Sequence, residues 1–127
     1  MKGTLDDYIN YRIERAESTF NDTKLLAANK SWNSCVNRLY YSCYYLVSAL
    51  LIKNGIKTKT HNGVRIQFFM TFVKTDIIDK DFGKLYSDLF RWRQSGDYSD
   101  FVSFDEETVL PLIKGTEKFF AEVKKNL

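Results

Sequence analysis

Residues 32–53 read WNSCVNRLYYSCYYLVSALLIK, and this stretch decides the fold. Trp32, Val36, Leu39, Cys43, Leu46 and Leu50 recur in alternating steps of four and three, the period of one helix face. Tyr40, Tyr41, Tyr44, Tyr45, Val47 and Leu51 widen that stripe around most of the circumference. A helix that is apolar nearly all round is a buried one, so this segment is the predicted centre of the molecule. Ser31 stands where an N-cap belongs, and Asn54-Gly55 supplies a left-handed residue to end the helix.

Amphipathic segments flank it on both sides. The first runs from about Leu5 to Asn29, with Leu5, Ile9, Ile13, Ala16, Phe20 and Ala27 inside and Glu14, Arg15, Glu17, Asp22 and Lys24 outside. Thr60 caps a third helix, from His61 to Lys74, whose expected buried face is Val64, Phe68, Phe69, Phe72 and Val73. A fourth runs from Asp81 to Gly96 on Phe82, Leu85, Tyr86, Leu89 and Phe90. A loop from Asp97 to Phe104 leads to a fifth, which ends near Lys125. Pro111 is cheap only in a first turn, which predicts a start at Thr108 rather than Asp105, or else a kink. The expected fold is all-α: an antiparallel up-and-down bundle of four to five helices, one domain over residues 1–127.

Composition agrees. One Pro and six Gly in 127 residues are too few for the turns of a sandwich or barrel. A hydrophobic share of 44% against 28% charged excludes intrinsic disorder. The net charge of +3 permits contact with RNA without demanding it. Aromatics make up 16%, more than a small bundle hides, which predicts a homodimer with Tyr and Phe at a symmetric interface. Cys35 and Cys43 are eight residues apart, ~12 Å along a helix, and do not pair with each other. Free thiols and an N-terminus without a secretory pattern predict the cytoplasm. The longest apolar run, Tyr44 to Ile52, is far below the ~18 residues that span a bilayer, so no membrane is expected. One His leaves no metal-ligand spacing. No Gly-rich phosphate loop or nucleophile elbow is present, and no cofactor is expected.

Two arginines stand out by position. Arg93 follows Leu89 by four residues and so continues an apolar stripe, where a guanidinium needs a partner. Asp97, one turn on, either closes a local ion pair with it or shares a site with it. Arg38 lies with Ser34, Ser42 and Tyr45, beside Asn37 and Tyr41, on the one polar face of the central helix. That face is either a satisfied network or a binding patch. The tyrosines of this helix read as core, with hydroxyls bonded at the rim. His61 reads as a helix-start residue near solvent, with a catalytic or RNA-contacting role as the sharper alternative. Lys53, Lys57, Lys59 and Arg65 read as a solvated surface, and they are also the best phosphate-facing group on the chain.

Three segments carry a family resemblance. Asn37-Arg38-Leu39-Tyr40-Tyr41-Ser42-Cys43-Tyr44-Tyr45 resembles the "SRAYYAMFYA" signature of small prokaryotic HEPN proteins. Lys59-Thr60-His61-Asn62-Gly63-Val64 resembles their "KTHSGV" segment, and Arg93-Gln94-Ser95-Gly96-Asp97-Tyr98 their "RQxADY" segment. The matches come in the family's order and cover most of the chain.

The resemblance implies a helical bundle, usually a homodimer, encoded beside a minimal nucleotidyltransferase in a toxin–antitoxin or defence module. Many such proteins are metal-independent ribonucleases whose site is an Arg followed, four to six residues on, by a His, at a cleft shared by two copies. Arg93 matches that Arg; Tyr98, Ser99 and Asp100 stand in range of the His, and none is His. On the ribonuclease reading the catalytic candidates are Arg93, Asp97 and Tyr98, and the binding candidates Arg38, Tyr41, His61, Lys57 and Lys59. His61 takes the missing role only if the fold or a second subunit brings it to Arg93. The alternative is a non-catalytic subunit that binds the nucleotidyltransferase, a nucleotide or RNA, with Tyr98 as the tyrosine that receives AMP. A tetratricopeptide-like module is disfavoured by the absence of a repeat near 34 residues. Arg38, Arg93, Asp97 and Tyr98 are expected to meet in one cleft at the end of the fourth helix, near the dimer axis.

Overall fold

The structure, a computed structural model, describes residues 3–98 and 103–127, those at 94–98 by backbone alone. Helix α1 (Leu5–Ala28) opens on a capping box. The Thr4 hydroxyl accepts the Asp7 N–H at 3.1 Å and the Asp7 carboxylate accepts the Thr4 N–H at 2.9 Å. Lys30, at φ 59°, reverses the chain into α2 (Trp32–Lys53). The two helices pack along a seam of small side chains. Ala16, Thr19, Thr23 and Cys35 are buried there, and the Cys35 Sγ reaches the Thr23 carbonyl at 3.5 Å.

Helix α2 is the centre of an all-α, antiparallel up-and-down bundle: α1, α3, α4 and α5 all pack against it. Val36, Leu39, Cys43, Leu46, Val47 and Leu50 are wholly buried, as the stripe predicts. Burial pushes the Cys43 thiol up to about 12, so it stays protonated and inert. Gly55, at φ 72°, ends the helix in the left-handed region. Trp32 is only partly buried, against expectation, because it sits in the first turn at the edge of the core. Ser31 makes no side-chain cap bond. Its ψ of 70° lies off the extended backbone of the three caps that do bond, with ψ 172°, 159° and 175° at Thr4, Thr60 and Asp105.

Helix α3 (His61–Phe68) starts on the Thr60 hydroxyl, which accepts the Gly63 N–H at 2.9 Å. It does not continue as a plain α-helix to Lys74. Residues Phe69–Val73 form one π turn. The wider turn carries Phe72 and Val73 to the core and leaves Phe69, expected inside, 48% exposed. Beyond it the Ile78 N–H bonds the Phe72 carbonyl at 2.8 Å, and Ile78 is wholly buried although it lies in a link.

Helix α4 (Lys80–Tyr98) runs a little further at both ends than the sequence pattern predicts. A Cβ on Gly83 would lie 2.8 Å from Val73 Cγ1, so only glycine lets α4 approach the π turn this closely. Helix α5 (Glu106–Lys124) starts before Thr108: the Asp105 carboxylate accepts the Thr108 N–H at 2.9 Å and caps it. Pro111 therefore stands inside the helix. The bond it cannot make falls to the Glu107 carbonyl, and both residues are exposed to water. Asn33 Oδ1 accepts the Phe104 N–H at 2.8 Å and ties the start of α5 to α2, while Lys124 pairs with Glu17 at 2.8 Å across to α1.

Candidate functional site

The site is built on Tyr40. Its ring is wholly buried among Tyr41 and Tyr44 of α2, His61 of α3, and Tyr86 and Phe90 of α4. Helical period explains the grouping, since Tyr40 and Tyr44 are one turn apart, as are Tyr86 and Phe90. The Tyr40 hydroxyl is 2.8 Å from His61 Nδ1. His61 also stacks on Tyr44, with ring centroids 4.2 Å apart, and meets the edge of Tyr41. One ring nitrogen is thus committed to Tyr40, which leaves Nε2 as the other.

Arg93 reaches the same ring from α4. Its guanidinium carbon lies 5.0 Å from the Tyr40 ring centroid and 5.4 Å from that of Phe90. Its Nε is buried without a hydrogen-bond partner. His61 and Arg93 are therefore brought together within one subunit, on opposite parts of one tyrosine. Burial, and then the Arg93 charge, lower the His61 pKa from its ordinary value, so the imidazole is neutral at neutral pH. Burial raises the Tyr40 hydroxyl well above the phenol range, with the Tyr86 hydroxyl and then the Arg93 charge pulling the other way. Tyr40 consequently positions and does not ionise.

Four more arginines surround this centre. Arg38 lies 4.9 Å from the Tyr41 ring and bonds Asn37 Oδ1 through Nε and a terminal nitrogen. Arg65, one turn after His61, lies 5.0 Å from the Phe90 ring and bonds Asn62 Oδ1 at 2.7 Å. Arg15 of α1 donates to the Tyr45 hydroxyl at 2.8 Å, and Arg12 lies 5.8 Å from the Tyr45 ring. Among the described residues none of these five arginines is ion-paired; the pairs involve Lys84, Arg91, Lys124 and Lys125. Their partners are neutral oxygens and ring faces, which hold a guanidinium without cancelling its charge. Such an assembly leaves its positive charge uncompensated by carboxylates among the described residues.

A groove of about 520 Å³ adjoins it, with Tyr44 as the shared wall. Lys57, Lys59 and Arg12 line it together with apolar residues from α1 and the end of α2. Among the described residues no cluster of His, Cys, Asp and Glu is placed to hold a metal ion, and no helix is long and apolar enough to cross a membrane.

The structure brings Arg38, Tyr41, His61 and Arg93 into one chain of contacts through Tyr40 and Tyr41, and sets Lys57 and Lys59 at its flank. The side chains of Asp97 and Tyr98 lie outside the described residues; their backbone forms the last turn of α4. Sequence reasoning missed Tyr40, Tyr44, Arg12 and Arg15 as site residues. For the tyrosines the available signal was their place in the signature around Arg38. For Arg12 and Arg15 no local signal existed, because an arginine on a wet face looks like any other.

A HEPN domain model matches residues 9–126. The chain belongs to the HEPN family. It is 41% identical over 117 residues to a UPF0332 protein of Thermotoga maritima, covering 92% of this chain and 89% of that one. Two Methanocaldococcus jannaschii proteins named as candidate toxins, MJ0142 and MJ0605, are each 30% identical over 115 residues, 91% of this chain and 78% and 85% of theirs. In this HEPN chain the one histidine, His61, meets the ring that carries Arg93 from the start of α3, not from the residues that follow Arg93.

Proposed function

We propose that this protein is a toxin-like HEPN ribonuclease whose Tyr40–His61–Arg93 centre cleaves RNA by transesterification. The observation that carries the reading is that neutral His61 and Arg93 meet on Tyr40, with no carboxylate paired to either among the described residues. The names of its relatives support the toxin-like part. In the reaction the ribose 2′-oxygen attacks the adjacent phosphorus and the bond to the 5′-oxygen breaks. The products are a 2′,3′-cyclic phosphate and a 5′-hydroxyl. His61 Nε2 takes the 2′-hydroxyl proton, Nδ1–H donates to the Tyr40 oxygen, and the leaving oxygen takes a proton from water. Arg93 holds the non-bridging oxygens and steadies the charge they gain. The arginines around it track the neighbouring phosphates.

A second copy completes the cleft on this reading. Ile66, Phe69 and Met70 are 44%, 48% and 48% exposed within two turns of Arg65, apolar side chains in the segment that follows His61. The test is cleavage of RNA in a chelating buffer. Wild type should leave 2′,3′-cyclic phosphate ends. His61→Ala and Arg93→Ala should each lower the rate by ~10²–10⁴ without loss of helicity. Activity that survives both changes, or that needs a divalent ion, would overturn the reading.

A further inference from the structure

The groove beside Tyr44 has no part in the chemistry just described, yet it is one ring away from it. We propose that it is a specificity subsite that receives a base of the RNA strand next to the scissile phosphate; this rests on the ribonuclease reading.

Three features argue for a base with its phosphates. The floor is apolar: Leu51 is buried, Ile52 and Ile56 are partly buried, and Leu5 stands 59% exposed at the mouth. An apolar side chain left open to water beside a cavity gains by being covered. The rim is cationic: Arg12, Lys57 and Lys59 line the groove, and among the described residues no carboxylate does. Ser48 also lines it and is 7% exposed. A hydroxyl on the wall of a groove can donate to or accept from the edge of a base. A flat apolar heterocycle flanked by phosphates satisfies floor, rim and hydroxyl together. A free anion leaves the floor wet, and an apolar peptide leaves the lysines unmatched.

Position supplies the link to the strand. Tyr44 stacks on His61 and also lines the groove. A base in the groove is thereby set against the residue that takes the 2′-proton, as a neighbouring nucleotide of the same strand would be.

The test uses the whole protein and a 2′-O-methyl oligoribonucleotide, which has no 2′-hydroxyl and is not cleaved. Methyl NMR signals of Leu51, Ile52 and Ile56 should shift on titration, and an oligonucleotide with abasic residues should shift them much less. Leu5→Glu places a carboxylate at the mouth, in a first helical turn that tolerates acid. It should weaken binding about tenfold, within the range carried by one stacked base. Arg93→Ala should lose cleavage and keep the methyl shifts. A protein that shows those shifts but cleaves nothing would thus refute the ribonuclease reading and leave the base subsite standing. The subsite is overturned if the oligonucleotide binds without moving the methyl signals, or if Leu5→Glu binds within about twofold of wild type. It is overturned as a strand subsite if uridine or adenosine 5′-monophosphate reproduces the shifts at equal affinity, which would make the groove a free-nucleotide site.

Discussion

Tyr40→Phe removes one oxygen atom and keeps the ring that carries Arg93. The lost interaction is the 2.8 Å hydrogen bond to His61 Nδ1. A bond of this kind contributes ~1 kcal/mol net. His61 is only partly buried, so water can replace the hydroxyl on the histidine side, while the buried Tyr86 hydroxyl loses the Tyr40 oxygen as a neighbour. The expected destabilisation is therefore ~1 kcal/mol, a fall in Tm of about 4 °C for a chain of this length. If the bond orients the imidazole during proton transfer, the same ~1 kcal/mol appears in the barrier and kcat falls about fivefold. The causes that lower the His61 pKa, burial and Arg93, are untouched by this change. The acidic limb of the pH–rate profile should stay where it is while the plateau drops. Steady-state cleavage of a fluorescent RNA between pH 5 and pH 8 reads both. An unchanged plateau would refute the positioning role of Tyr40, and a limb that moves would show that its hydroxyl, not burial and charge, sets the proton affinity of His61.

The remaining expectations concern His61 and the core. In NMR titrations His61 should protonate below its ordinary 6.5, and Arg93→Gln should raise the midpoint toward that value; a midpoint above 6.5 in wild type would contradict the burial and charge assigned to it. Because the folded value is the lower one, His61 contributes stability that is fully present above 6.5 and is lost as pH falls through the folded value. His61→Gln should flatten the slope of stability against pH in that window. Gly83→Ala gains ~1 kcal/mol of helix propensity but drives a methyl into Val73, at ~1–3 kcal/mol, so it should destabilise or be neutral on balance. In the background of Val73→Ala the same change should stabilise, and equal effects in both backgrounds would deny the contact. Leu46→Ala, at a wholly buried position, should cost ~2–5 kcal/mol in denaturant melts, and an unaltered midpoint would remove α2 from the centre.

The helices were largely legible because their signals are local. The stripe from Val36 to Leu50, the Thr60 cap and the Asn54-Gly55 stop each depend on residues within a turn or two, and each appears where expected. Pro111 misled because its penalty is small where the orphaned carbonyl meets water. Phe69 misled because a π turn changes the period partway along a helix, and no residue type marks that change. The inward aim of Arg93 was readable from its place after Leu89, but its partner was not. Tyr40 and His61 come to it from two other helices, and only the packing of α3 and α4 on one tyrosine brings them together. The groove was invisible for the same reason, since α1 supplies Leu5 and Arg12, and α2 with its following link supplies the rest.

That Tyr40 is at once the floor of the site and a wholly buried core residue has a consequence for how the site can be lost. Rings from three helices close on it, so no loop or terminal turn can lift away and expose it while the rest of the bundle stays intact. The backbone amides around it belong to the same cooperative unit as the core and exchange with solvent at the rate of global opening. Local melting then leaves Tyr40 covered, and of the three central residues only His61 stands in a first helical turn. What switches such a centre off is an occupant that covers it, or removal of the entire chain during its rare excursions to the unfolded state, where a protease meets it in proportion to their population.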